Sequence, residues 1–182
     1  MTNHFAVLGL PESLSVEAAE VDAAWQTHTR EIASREMPED TEIHLARAVL
    51  SEPVSRLEHW LELKEVELER GSSMEPDFMD LFSKIHAALE SADSVYLRHQ
   101  KATTALGKAL LSKEAVEAQL SVQECLSTIH GKKRERIDRF PDFENEADQG
   151  HFVNASSALG QLKFLRKWEQ QCQERLLQLI EC

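Results

Sequence analysis

One cluster of helix breakers, GSSMEPD at residues 71–77, interrupts a chain that is otherwise helically periodic along nearly its whole length. Glycine, serine and proline packed so closely leave no room for a continuous element, so the cluster marks a hinge between two helical regions. Elsewhere breakers are scarce. The 182 residues hold 6 Gly and 5 Pro, with Ala, Leu, Glu, Gln and Lys plentiful, which favours helices over the turn-rich pattern of sandwiches and barrels. The fold class is therefore all-α, and no internal repeat is evident.

Before the hinge, NHFAVLGLP is a short apolar segment stopped by Gly9 and Pro11, and Ser13 and Ser15 offer N-caps for the next helix. Ala18, Val21, Ala24, His28 and Ile32 recur at spacings of three and four, one buried stripe of a second helix from Val16 to about Ala33. The polar segment REIASREMPED, residues 30–40, reads as a loop. Asp40 or Thr41 then caps a helix through Ile43, Ala46, Val49 and Leu50 that breaks at SEP. Pro53 suits the first position of a further helix, because its missing N–H has no intrahelical partner there. That helix carries Leu57, Trp60, Leu61 and Leu63 and fades near Arg70.

Beyond the hinge come three long amphipathic segments, at about 77–107, 113–140 and 155–181. Turn chemistry at FPDFENEADQGHF separates the last two, and Asn154 is placed to cap the final helix. Short connections oblige neighbouring helices to run back along each other, so an antiparallel three-helix bundle is the economical packing. In the last segment Ala158, Leu162, Leu165, Cys172, Leu176 and Leu179 form a core seam. Phe164 and Trp168 sit to one side of it, as peripheral core or as an exposed anchor pair. Phe78, Phe82 and Ile85 are spaced as ordinary core, which leaves Met79 as the better candidate for a surface contact.

Twenty Lys and Arg against 32 Asp and Glu give a formal net charge of −12, which repels phosphate backbones and anionic lipid alike. Nucleic acid and membrane are not expected partners, and the run KKRER at 132–136, interspersed with glutamate, reads as a solvated helix face. Cys125, Cys172 and Cys182 are an odd number without CxxC spacing, as suits a reducing cytosol rather than a disulfide framework or a zinc site. The start MTNHFAVLGLP shows no leader and no apolar run is of membrane-spanning length, so a cytoplasmic protein is expected. No phosphate loop, G-x-S-x-G or H-E-x-x-H occurs, and Cys125 and His130 share a helix without the geometry of a nucleophile and base. Neither enzymatic activity nor a cofactor is expected. His28 and His44 can approach each other across a helical hairpin, but no ligand spacing accompanies them and no metal is expected.

The first 70 residues taken together, NHFAVLGLPESLSVE, a helix, a loop and IHLARAVLSEPVSRLEHWLELK, resemble the J domain of the HscB family of iron–sulfur cluster co-chaperones. Ala46, Leu50, Pro53, Arg56, Glu58, Trp60, Leu61 and Leu63 fall in the order of the family pattern. His44, Leu57 and His59 stand at the family's Asn, Ala and Tyr. The C-terminal LGQLKFLRKWEQQCQERLLQLIE resembles the family's last helix, so the likeness spans nearly the whole chain. It implies a J-like helical hairpin domain at 1–70, a linker at 71–77 and an HscB-like three-helix bundle at 78–182. It also implies a bacterial co-chaperone that binds an IscU-like cluster scaffold and presents it to a DnaK/HscA-type chaperone.

Two departures bear on that expectation. J proteins carry His-Pro-Asp at the end of the second helix, the turn that engages a DnaK-type ATPase, and Ala33, Ser34 and Arg35 stand there instead. The second helix carries Glu17, Glu20, Asp22 and Glu31 against a single Arg30, where active J domains present a basic face to an acidic chaperone. The alternative is a degenerate J-like adaptor that binds a scaffold without stimulating an ATPase. For the scaffold site, DFMDLFSKIHAALES resembles the family's contact segment and maps Phe78, Met79 and Phe82 to apolar contacts. Glu90 is the surviving acidic contact, Ser83 and His86 replace glutamates, and Phe164 takes the place of the contact phenylalanine, with Trp168 one turn away.

Overall fold

The computed structural model of the chain describes residues 2–34, 41–67, 76–180 and 182. Among these it contains eight helices and no strand: α1 (His4–Val7), α2 (Ala18–Ser34), α3 (Thr41–Ser51), α4 (Pro53–Leu63), α5 (Pro76–Lys101), α6 (Ala105–Ile137), α7 (Phe140–Ala147) and α8 (Val153–Ile180). Two compact units emerge, Met1–Arg70 with Arg136–Gln161, and Gly71–Glu135 with Leu162–Cys182. Of the expected linker, residues 71–75 lie outside the described residues, and Pro76 and Asp77 already belong to α5.

In the first unit the Asn3 carboxamide caps α1 by accepting the Ala6 N–H at 3.2 Å. Gly9 closes that helix in the left-handed region at φ 64°, with Leu10 N–H donating to the Phe5 carbonyl and Gly9 N–H to the Ala6 carbonyl. The expected caps Ser13 and Ser15 do other work. Ser15 Oγ donates to Glu144 at 2.9 Å and Leu14 N–H to the same carboxylate at 2.7 Å, tying the loop before α2 to α7. Glu17 takes the capping position of α2, and the Glu20 carboxylate accepts its N–H at 2.8 Å.

Helices α2 and α3 form a hairpin held by an interlocked polar cluster. Trp25 Nε1–H donates to His44 Nδ1 at 3.3 Å, the Arg47 guanidinium lies 4.2 Å from the Trp25 ring centre, and Arg47 Nε donates to Asp22 at 2.7 Å. Pro53 opens α4 as expected, with Glu52 accepting from Ser55 N–H at 2.7 Å. The α4 face buries Val54, Leu57, Trp60 and Leu61, and with them Arg56, which donates to the Leu50 carbonyl at 3.0 Å. Burial lowers the Arg56 pKa, and the nearby Glu52 and Glu144 oppose that shift. Helix α4 ends at Leu63, short of the expected Arg70. Val66 N–H donates to the Leu61 carbonyl and Glu65 N–H to the Glu62 carbonyl, with Glu65 at φ 55°. A left-handed closure built on glutamate leaves no glycine in the sequence to announce it.

The stretch FPDFENEADQGHF, expected as a turn, contains α7. Pro141 falls in its first turn, where its missing N–H costs nothing, and Phe140 and Phe143 are buried. The Trp60 and Phe152 ring centres lie 6.2 Å apart, so residues from 136–161 share the core of the first unit. Asn154 lies inside α8 rather than capping it and donates to the Glu146 carboxylate at 2.9–3.0 Å.

The second unit is an up-down-up bundle of α5, the part of α6 before Arg136 and the part of α8 after Gln161. Buried Phe78, Leu81, Ile85, Ala88, Ala92 and Val95 on α5 alternate three and four apart, as do Ala115, Ala118, Val122, Cys125 and Ile129 on α6. This 3.5-residue repeat is the pattern of a coiled-coil-like seam, with small alanines interleaved among the larger side chains. Leu162, Leu165, Cys172 and Leu179 are buried on α8 as expected, while Leu176 is half-buried. The α5–α6 boundary falls at Thr104, whose hydroxyl accepts the Gly107 N–H at 3.1 Å. The first segment, expected to run to about 107, thus stops short of Gly107, which is the third residue of the next, capped helix.

Two outcomes are expected. Glu65→Gly relieves the left-handed strain and stabilises the first unit by about 0.5–1 kcal/mol, read as a higher denaturant midpoint. His59 is buried and its Nε2 accepts the His4 N–H at 3.1 Å, which requires neutral imidazole. Burial lowers the His59 pKa, as does His4, whose ring lies tilted 4.5 Å away, and Glu12 works in the opposite sense. A depressed histidine contributes stability that is complete above its ordinary value near ~6.5 and is lost as pH falls through its folded value. Stability therefore drops on acidification below neutrality, and His59→Gln, which can accept the same N–H without titrating, flattens that slope in denaturation curves measured across pH.

Candidate functional site

The sequence-expected scaffold contacts converge in the second unit around one indole. Helical spacing stacks Phe164 and Trp168 one turn apart on α8, and Phe78, Phe82 and His86 one turn apart on α5. The Trp168 ring centre lies 6.0 Å from Phe78, 5.8 Å from Phe82 and 6.2 Å from Phe164. These tilted pairs at contact distance each add about 0.5–1.5 kcal/mol beyond area burial. The indole is a hub. It fills the seam between α5 and α8 and carries a layer of rings above it.

Exposure divides the group. Phe78 and Trp168 are 2% and 5% exposed, whereas Met79, Phe82 and Phe164 are 49%, 40% and 45% exposed. Two expectations need correcting. Trp168, mapped as a contact, is a buried support, because an indole reaches further into the seam than the neighbouring phenyl ring. Phe82, spaced like core, is outward, because Leu81 takes the inward position beside Phe78 and Ile85. Phe78 is core, as its spacing indicated, and is not available as a surface contact. Met79 is outward as expected.

The polar rim is thin. His86 lies tilted against Phe82 with ring centres 5.9 Å apart and is 3.5 Å from the exposed Glu90 carboxylate. Ser83, which replaces a glutamate of the family pattern, turns its hydroxyl back to donate to the Met79 carbonyl at 3.0 Å. The rotation of α8 is fixed by Glu169, next to the hub, which accepts from Lys133 Nζ at 2.7 Å and lies 2.7 Å from His130 Nε2. Burial pushes the Glu169 carboxyl up, but Lys133 and His130 outweigh it and hold the group below the usual carboxylate range. Arg175 pairs with Asp93 at 2.5 Å, a second link between α8 and α5.

The turn expected to face a chaperone lies at the end of α2. Ala33 and Ser34 belong to the last turn of that helix, but their side chains and the whole of Arg35 lie outside the described residues. Along α2, Asp22 is matched by Arg47 and Glu20 is engaged at the helix start. Glu17, Glu20 and Glu31 are exposed against Arg30, with uncharged Ala23, Gln26 and Thr27 between them, so the outer face is acidic rather than basic.

Nothing here gathers reactive chemistry. Burial raises the Cys125 thiol, and burial with neighbouring Cys125 pushes the Cys172 thiol up to about 11, so neither is thiolate near neutrality. His44 is engaged with Trp25 rather than with His28. No group of three or more metal-ligating side chains occurs among the described residues, and none of their helices is long and apolar enough to cross a membrane.

No protein-family model matches the chain, and no curated protein sequence is significantly similar to it. Among solved structures, the chaperone HscB from Vibrio cholerae is similar with a TM-score of 0.59 at 16% identity, over 98% of this chain and 99% of that chain. The fold is HscB-like from end to end.

Removing the hub and removing the surface rings should have separable effects. Trp168→Ala is expected to cost about 3–5 kcal/mol of stability, as for a large core aromatic. Phe82→Ala and Phe164→Ala should each cost about 1 kcal/mol or less. Denaturant titrations of the three variants give the comparison directly.

Proposed function

We propose that this chain is an HscB-like co-chaperone of iron–sulfur cluster assembly whose second unit binds an IscU-like scaffold protein through Met79, Phe82 and Phe164. The observation that carries this reading is the ring layer on the Trp168 hub. Two half-exposed phenyl rings, Phe82 and Phe164, supported from below by a buried indole, with half-exposed Met79 on the same helix as Phe82, are the makings of a binding hot spot. Burying the exposed half of each is worth about 0.7–1.5 kcal/mol, and a preorganised surface loses little of that to ordering. Glu90 and His86 form the rim on the α5 side. In this reading the protein is not an enzyme, and its partners are a cluster scaffold and a DnaK/HscA-type chaperone.

A specific observation favours a second reading of the first unit. Ala33, Ser34 and Arg35 replace His-Pro-Asp, and the α2 face is acidic rather than basic. Both remove what a J domain uses to reach an acidic ATPase surface. An adaptor that holds the scaffold without stimulating hydrolysis accounts for both.

Calorimetric titration with an IscU-type scaffold tests the first claim. Saturable one-to-one binding is expected, weakened about tenfold or more by Phe82→Ala or Phe164→Ala, as for anchor residues at an interface centre. Absence of binding would refute the scaffold site. ATP turnover by a DnaK/HscA-type chaperone decides between the two readings: stimulation by the unaltered chain supports the co-chaperone. No stimulation, with a gain when residues 33–35 are replaced by His, Pro and Asp, supports the adaptor.

A further inference from the structure

Helix α6 carries two apolar faces, and the bundle uses one. Ala115, Ala118, Val122, Cys125 and Ile129 point inward. On the opposite side Leu106, Leu110, Lys113, Glu117 and Leu120 succeed one another at spacings of four, three, four and three, flanked by Val116. The three leucines and Val116 are each more than half exposed. A sustained 3.5-residue seam on an outer face has the pattern of a helix built to pack against another helix.

We propose that this face docks a second copy of the chain as an antiparallel two-fold pair of α6 helices. The order of residues selects that partner. With a two-fold axis at the level of residue 115, Leu110 of one copy lies opposite Leu120 of the other, and Lys113 opposite Glu117. Symmetry repeats both layers, so a single register gives two leucine layers and two opposite-charge layers. The two Val116 side chains meet beside the axis. Within one chain Lys113 and Glu117 lie 4.0 Å apart and well exposed, so exchanging partners across the axis requires no charge to be uncovered. A parallel pair would set Lys113 against Lys113 and Glu117 against Glu117, a like-charge penalty that excludes it. None of Met79, Phe82 or Phe164 is on α6, so each copy in the pair keeps its ring layer.

Four layers make a smaller contact than the ~800 Å² per partner of a standard interface, which sets the dissociation constant at roughly 10–100 μM. Sedimentation of the full chain across that range should show monomer passing to dimer and nothing larger, because a two-fold contact closes on itself. Lys113→Glu and Glu117→Lys should each weaken dimerisation about tenfold, and the double exchange should restore it, because it only reverses the sign of each layer. Far-UV circular dichroism should be unchanged in all three variants, whose altered side chains are exposed. In a Cys182→Ser background, Val116→Cys should cross-link on mild oxidation and Leu106→Cys should not. A monomer at all concentrations, a dimer indifferent to the single reversals, unbounded growth, or cross-linking through Leu106→Cys would each overturn the proposal.

Discussion

Trp168 touches Phe78, Phe82 and Phe164 at once, and the character of the second unit's surface follows from that one placement. An indole wedged between α5 and α8 sets how far apart those helices lie. It also leaves no room above for further burial, so the next rings out are held half in solvent. The ion pairs of Glu169 with Lys133 and His130, and of Arg175 with Asp93, stop α8 from rotating about its axis. The exposed rings are a consequence of packing and not of accident.

The small-residue seams of α5 and α6 serve the same end. Ala88, Ala92, Ala115 and Ala118 line those seams with small side chains, and the aromatic rings of the bundle gather at the α5–α8 seam instead. In the first unit the corresponding organiser is polar. Asp22, Arg47, Trp25 and His44 interlock across the α2–α3 hairpin and brace it.

Periodicity made most of the helices legible. The break at SEP, Pro53 at the head of α4 and the heptad-like core of α8 appear where spacing and capping chemistry put them, whereas the expected α2 stripe buries only Val21, with Ala18 exposed and Ala24, His28 and Ile32 half-buried. The missed boundaries share a cause, since each depended on a residue acting outside its usual role. Glu65 adopts the conformation normally left to glycine, Gly107 lies within a capped helix, and Pro141 starts a helix where it reads as a break. At the site, spacing assigned Phe78 and Met79 correctly but put Phe82 inside. The choice between Phe82 and Leu81 for the inward position depends on the facing indole, which lies 86 residues away in sequence. His59 gave no sequence signal, because a buried neutral imidazole accepting a backbone N–H resembles any surface histidine in the sequence.

If the ring layer over Trp168 organises binding, amide hydrogen exchange of the full chain with and without an IscU-type scaffold will locate the contact there. Protection on binding is expected to be confined to peptides covering residues 78–90 and 160–170. Protection confined to α2 and α3, with those peptides unchanged, would put the contact on the first unit and refute the ring layer as the binding surface.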